Sequence, residues 1–146
     1  MAEVLQEGDT AGQGHQYVGL ASGLIKKRIS NHYQSFEKPE KKKQSKLSEF
    51  IWDLKTSGKE NFHIHWTVIA KEGLYNKRTR KCQLCLREKV EILKLIRSNP
   101  KKAINKREEV FRRCLHRNKH FLGYLLNGKS INHGTPEDHN FFPDRS

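Results

Sequence analysis

Three cysteines and a histidine pose the first chemical question. Cys82-x-x-Cys85 has the spacing of half a structural zinc site, and Cys114-x-His116 offers two more soft donors after 28 intervening residues. With His116 a tetrahedral Cys₃His set is complete, and His120 is a rival fourth ligand at His116-x₃-His120 spacing. The alternative is three small thiols buried near a helix start. An odd number of cysteines cannot pair completely and suits a reducing compartment, which favours a metal over disulfides.

A second group could act on a phosphate. Arg28 and His32 stand four apart, on one face of any helix that contains them. A guanidinium fork matches phosphate oxygens, and an imidazole can move a proton or bond such an oxygen near neutral pH. The plainer alternative is a solvated basic face with a histidine at its edge. Tyr17 precedes a glycine and a basic stretch; a phenol there can assist deprotonation of an attacking water, or be a half-buried sheet aromatic. Glu88 has Leu84 and Ile92 at i±4, so it sits along an apolar stripe where an unpaired carboxylate is costly unless a cation meets it.

The partner is signalled by charge. The 146 residues carry 29 Lys and Arg against 16 Asp and Glu, a net +13, with 34% hydrophobic residues. Residues 61–120 hold 17 of the basic residues against five acids, while residues 1–23 hold three acids and no Lys or Arg. The same basic stretch carries Phe62, Trp66, Phe111 and most of the Leu and Ile, which excludes a disordered basic tail and points to a folded domain facing a polyanion. Lys26, Lys27, Lys41, Lys42, Lys43 and Lys46 are the candidate phosphate contacts. Of these, Lys41–Lys43 share with Lys38 a stretch that either grips backbone or is simply solvated. No run of about 18 apolar residues exists, and the acidic start is unlike a signal or transit peptide, so the expected location is intracellular, with no membrane partner.

These residues need elements to position them. Val4-Leu5 and Tyr17-Val18-Gly19-Leu20 read as short strands joined by a Gly-rich loop. Positions 25, 29, 32, 33 and 36 keep a helical period, with Ser22 as candidate cap. After the charged stretch Glu37–Gln44, Leu47, Phe50, Ile51 and Leu54 repeat it between an expected cap at Ser45 and a stop at Gly58. Phe62–Ile69 alternates as a strand, with His63 and His65 on the face opposite Trp66, either as a metal pair or as solvent-facing side chains. A loop with five basic residues leads to Cys82 and a helix ended by Asn99-Pro100. A last helical stretch is expected over 107–126, then a disordered tail over 127–146. The fold class is therefore α+β: a small central sheet of about three strands flanked by helices, with a zinc knuckle.

Taken in order, Tyr17-Val18-Gly19-Leu20, the helix with Arg28 and His32, and Lys46-Leu47-Ser48-Glu49-Phe50-Ile51-Trp52-Asp53-Leu54-Lys55 resemble the GIY-YIG nuclease family. Cys82-Gln-Leu-Cys85-Leu-Arg-Glu88-Lys89, Leu93, Asn105-Lys-Arg107 and Cys114-Leu-His116-Arg-Asn-Lys119 resemble more narrowly the endonuclease domain of Penelope-like retroelements, where a nuclease follows a reverse transcriptase. The resemblance covers about residues 15–122 and places the nuclease-like domain at 1–126. It implies a nuclear, metal-dependent DNA endonuclease. Tyr17, Arg28, His32, Glu88 and Asn105 would be its catalytic residues, with one Mg²⁺ or Mn²⁺ on Glu88. Asn105 read alone is an ordinary cap after Pro100. The family's first motif carries a tyrosine that would fall before Met1. Ala2–Leu5 then matches the tail of an incomplete first strand, and impaired catalysis is expected. The alternative class is a non-catalytic, zinc-stabilised nucleic-acid-binding module.

Overall fold

The computed structural model describes residues 1–114 and 116. It is an α+β fold of three helices and a small antiparallel sheet, with a separate two-stranded hairpin. The strands β1 (Ala2–Gln6), β2 (His15–Tyr17) and β3 (Phe62–Trp66) lie in the order β2-β1-β3. Register pairs Ala2 with both Tyr17 and Trp66, and Val4 with both His15 and Ile64. Side chains alternate across a strand, so Ala2, Val4, Tyr17, Ile64 and Trp66 share one face. That face carries the main core.

Against it pack α1 (Ile25–Glu37) and α2 (Lys46–Thr56), through Phe36, Leu47, Ile51 and Leu54, of which Leu47 and Ile51 are fully buried. Ser45 caps α2 as expected, its hydroxyl accepting from the Ser48 amide at 3.1 Å, and Gly58 follows the helix at φ +79°. Ser35 and Ser48 hydroxyls meet at 2.5 Å in the buried seam, and Trp52 donates its indole N–H to the Ser35 carbonyl at 2.7 Å. These bonds fix α1, which carries Arg28 and His32. Its cap is Leu24 rather than Ser22, and no side chain closes that end.

On the other side of Tyr17, α3 (Gln83–Ser98) packs Ile92 and Leu95 on Val18 in a smaller cluster. Residues 102–104 run beside β2, with Gln16 N–H to Lys102 O and Ile104 N–H to Gln16 O, both 2.8 Å, and so close its free edge.

Three expectations are corrected. The strand β3 stops at Trp66, with the Thr67 amide still donating to the Met1 carbonyl at 2.8 Å, and Val68 and Ile69 are exposed rather than part of the strand. The basic loop before Cys82 is a hairpin, β4 (Tyr75–Asn76) with β5 (Lys81–Cys82). At Arg107 the chain forms a 3₁₀ turn, Arg107–Phe111, and leaves it extended at Arg112. Residues 112–114 are not helical and His116 is in helical conformation, while residue 115 and residues 117–146, His120 and the expected tail among them, lie outside the described residues. No helix among the described residues is long and apolar enough to cross a membrane.

Candidate active site and metal cluster

Tyr17, Arg28, His32 and Glu88, spread over 72 positions of sequence, line one cavity of about 260 Å³. Each arrives by a different route. Tyr17 ends β2 and is 4% exposed; Gly19 lets its ring lie close, because a Cβ at 19 would sit 2.9 Å from Tyr17 Cε2. Arg28 and His32 point inward from α1, on one face as their spacing requires. The His32 ring lies edge-on to Tyr17 at 6.0 Å between centroids and 5.7 Å from Trp66, which also lines the cavity. Glu88 comes from α3, one turn after Cys85.

The electrostatics of the four differ. Burial pushes the Tyr17 phenol up to about 12, with Glu109 adding to it and Arg28 pulling against it. Burial, then the neighbouring Arg28, lowers His32 to about 4, so its imidazole is neutral at physiological pH. Glu88 is raised above the ordinary carboxylate range by burial, partly countered by Arg112. Neither Arg28 Nε nor the Glu88 carboxylate has a hydrogen-bond or ion-pair partner among the described residues, and Arg28 Nε is buried. The salt bridges of α3 go elsewhere: Glu91 takes Arg87 at 2.8 Å and Lys94 at 3.5 Å. A guanidinium and a carboxylate left unsatisfied in one cavity are costly unless a phosphate and a cation complete them.

Asn105 does not line the cavity. Buried, it accepts from the Val18 amide at 2.7 Å and donates to the Val18 carbonyl at 2.9 Å. Val18 therefore leaves the strand ladder, and Asn105 positions the segment after Tyr17 by taking both backbone groups that a neighbouring strand would have taken. It is not the cap after Pro100.

Sequence reasoning missed Glu109 and Arg112. The buried Glu109 carboxylate accepts from the Lys106 amide and from Arg112 Nη2, both at 2.6 Å, and both residues act electrostatically on Tyr17 and Glu88. A glutamate three residues into a turn is a capping signal, but it is read from sequence behind Ser or Thr, and here the capping position is Lys106.

The phosphate candidates separate. Lys26, Lys42 and Lys43 are exposed, and Lys27 and Lys41 are half-buried. Lys46 is committed to Glu108 at 3.2 Å and Glu49 at 3.5 Å. Lys26, Lys27 and Arg28 all sit in the first turn of α1, where no acid offsets them and the helix dipole is also positive. His63 and His65 are exposed.

Cys82, Cys85, Cys114 and His116 come together, their ligand atoms all within 4.8 Å of one another. His116 Nδ1 lies 3.3 Å from the Cys82 sulfur and 3.4 Å from the Cys85 sulfur. A tetrahedral zinc with bonds of roughly 2.1 and 2.3 Å separates N and S by about 3.5 Å, so the set could hold a metal such as zinc. Burial pushes the Cys82 and Cys85 thiols up, and crowding by Cys114 raises them further, so a cation is what would draw off their protons.

No protein-family model, curated protein or solved structure matches the chain.

Proposed function

We propose that this chain is a metal-dependent DNA endonuclease of GIY-YIG type, cleaving a phosphodiester by in-line attack of water. One observation carries the proposal: Tyr17, Arg28, His32 and Glu88, a phenol, a guanidinium, an imidazole and a carboxylate from three separate elements, converge on one cavity. Glu88 fits a divalent cation because it is the carboxylate of α3 left without an ion pair or hydrogen bond among the described residues, and Mg²⁺ is commonly held by one or two carboxylates together with substrate phosphates. That ion would supply charge neutralisation at the phosphate and at the leaving oxygen.

The chain's own groups divide the remaining work. Arg28 faces the non-bridging oxygens and stabilises the charge of the pentavalent phosphorus. Tyr17 keeps its proton to about pH 12, so it relays the water's proton through its hydroxyl rather than taking it as a phenolate. His32, neutral above about pH 4 and edge-on to Tyr17, takes that proton only transiently and releases it to solvent, because burial and Arg28 disfavour its imidazolium. The water oxygen bonds to phosphorus as the bond to the leaving sugar oxygen breaks, and that oxygen takes a proton from solvent to leave as a hydroxyl.

Supercoiled plasmid with Mg²⁺ or Mn²⁺ tests the proposal. Wild type should convert it to nicked circles, and Glu88→Ala or Arg28→Ala should slow conversion by about 10²–10³-fold. DNA binding without any nicking by wild type would instead support the non-catalytic, zinc-stabilised module. An equal rate in Glu88→Ala would put the site elsewhere.

A further inference from the structure

We propose that the hairpin formed by β4 and β5 is a phosphate-gripping finger that holds duplex DNA beside the cavity. This rests on the nuclease proposal for its choice of partner. Residues 77–81 read Lys-Arg-Thr-Arg-Lys, four cations in five positions, all exposed. Arg78, Arg80 and Lys81 make no ion pair among the described residues. The one acid nearby in sequence, Glu72, is held by Arg87 at 3.1 Å. Positions 76–81 carry no apolar side chain that could enter a lipid surface, so the chemistry fits a nucleic-acid backbone.

The finger has a fixed shape and a fixed root. Asn76 Oδ1 accepts from the amides of Arg78 at 2.8 Å and Thr79 at 3.4 Å, and the Arg80 amide donates to the Asn76 carbonyl at 2.7 Å. Arg80 takes the left-handed conformation at φ +58°, which glycine or asparagine would adopt with less strain, yet the position holds a cation. At the root, Tyr75 pairs with Cys82 of the metal cluster, and the Leu84 amide donates to the Gly73 carbonyl at 3.0 Å.

Ala70 and Leu84, just outside the two ends of the hairpin, both line the cavity that holds Glu88. Five residues from Leu84 to Thr79 span at most about 16 Å, equal to four or five nucleotides of duplex at about 3.4 Å each. The finger therefore contacts phosphates within a few nucleotides of the one in the cavity. None of its cations touches the reacting group.

The test is the salt dependence of duplex DNA binding by the metal-loaded full chain. The variant Arg78→Ser/Arg80→Asn/Lys81→Gln keeps a residue tolerant of the left-handed position at 80. Each phosphate contact contributes about 0.9 to the slope of log K against log salt, so the variant's slope should be shallower by about 2 to 3. Arg78→Lys/Arg80→Lys/Lys81→Arg should retain the wild-type slope. An unchanged slope in the neutral variant overturns the finger. So does a wild type that binds anionic phospholipid vesicles with this slope and duplex DNA without it. Should the triple variant lose its metal, Arg78→Glu alone, which changes neither Cys82 nor the left-handed residue, must flatten the slope by at least about 1. A wild type that shows the expected slope and nicks nothing sinks the nuclease proposal and leaves the finger standing. Nicking with a slope insensitive to the variants does the reverse.

Discussion

The two walls of the cavity are built on different physics. The wall of Tyr17, Arg28 and His32 rests on β2 and α1, whose inner faces join a core with Val4, Leu47 and Ile51 all at zero exposure. The wall of Glu88 rests on α3, which buries Ile92 and Leu95 but leaves Leu86, Val90 and Leu93 more than 40% exposed. What holds the start of α3 is the cluster of Cys82, Cys85, Cys114 and His116, together with the hairpin bond from Leu84 to Gly73. Hydrophobic burial thus secures the groups proposed to meet phosphate, whereas donor atoms suited to a metal stand at the start of the helix that presents the carboxylate. A chain with one modest core can brace a second wall in this way where apolar area is short.

The largest expected effect separates the walls directly. With zinc loaded on the cluster, stripping it with a chelator should lose several kcal/mol of local stability around α3, in keeping with the large binding energies of such clusters. Hydrogen exchange should then speed up by at least about 10²-fold across residues 83–92 and change little in residues 46–56. Uniform loss of protection would mean that the walls are one cooperative unit, and no change would mean that the cluster bears no structural role.

A smaller effect belongs to the first wall and follows from pH. His32 is lowered from its ordinary value to about 4, so between pH 6.5 and 4 the unfolded chain binds the proton and the folded chain resists it. Its contribution is complete above about pH 6.5 and is lost as pH falls towards 4, on the order of 3 kcal/mol in all. Urea unfolding across this range should show the slope in wild type and lose most of it in His32→Gln; identical profiles would place the histidine in water.

Asn105→Ala strips both partners from the Val18 backbone inside the seam between the walls. About 2 kcal/mol of stability should go with it. Nicking should fall in rate more than in DNA affinity, because Tyr17 is displaced while the basic surface is intact. Asn105→Asp, which keeps the acceptor for the Val18 amide, should retain part of the stability; a full loss there would mean that the donated bond to the Val18 carbonyl is the one that matters.

The smallest effect runs the other way. Burial raises the Glu88 pKa, so the folded state holds its proton longer than the unfolded state, and Glu88 costs stability as pH rises past the ordinary carboxylate range. At neutral pH without divalent cation, Glu88→Gln should therefore be more stable than wild type by about 1 kcal/mol, read as a rise in Tm of a few degrees. Added Mg²⁺ or Mn²⁺ should stabilise wild type and leave Glu88→Gln unmoved. A variant less stable than wild type would show that the carboxylate has a structural partner.

Much of this was legible in the chain, and what was not has identifiable causes. The periods of α1, α2 and α3, the Ser45 cap and the Gly58 stop were readable because each depends on neighbours within one or two turns. The metal donors were readable from residue type and spacing, and His63 and His65 from strand alternation. Val68 continues that alternation, yet the strand stops at Trp66 and Val68 is exposed, because alternation marks a face and does not say where a partner strand is present. Arg112 was hidden because its effect on Tyr17 and Glu88 comes from proximity in space, far from either in sequence.

By itself the sequence determined the local periods, the caps that one hydroxyl can make, the positive field and the set of chemical groups on offer. Tertiary structure alone decided that Tyr17, Arg28, His32 and Glu88 share a cavity, that Asn105 stands in for a strand, and that Lys46 is spent on Glu108. Local periodicity is set by interactions a few residues long, whereas a cavity is set by which buried faces meet. That choice is made by the packing of β1, α1 and α3 around Tyr17 and Val18, over separations that no local pattern encodes.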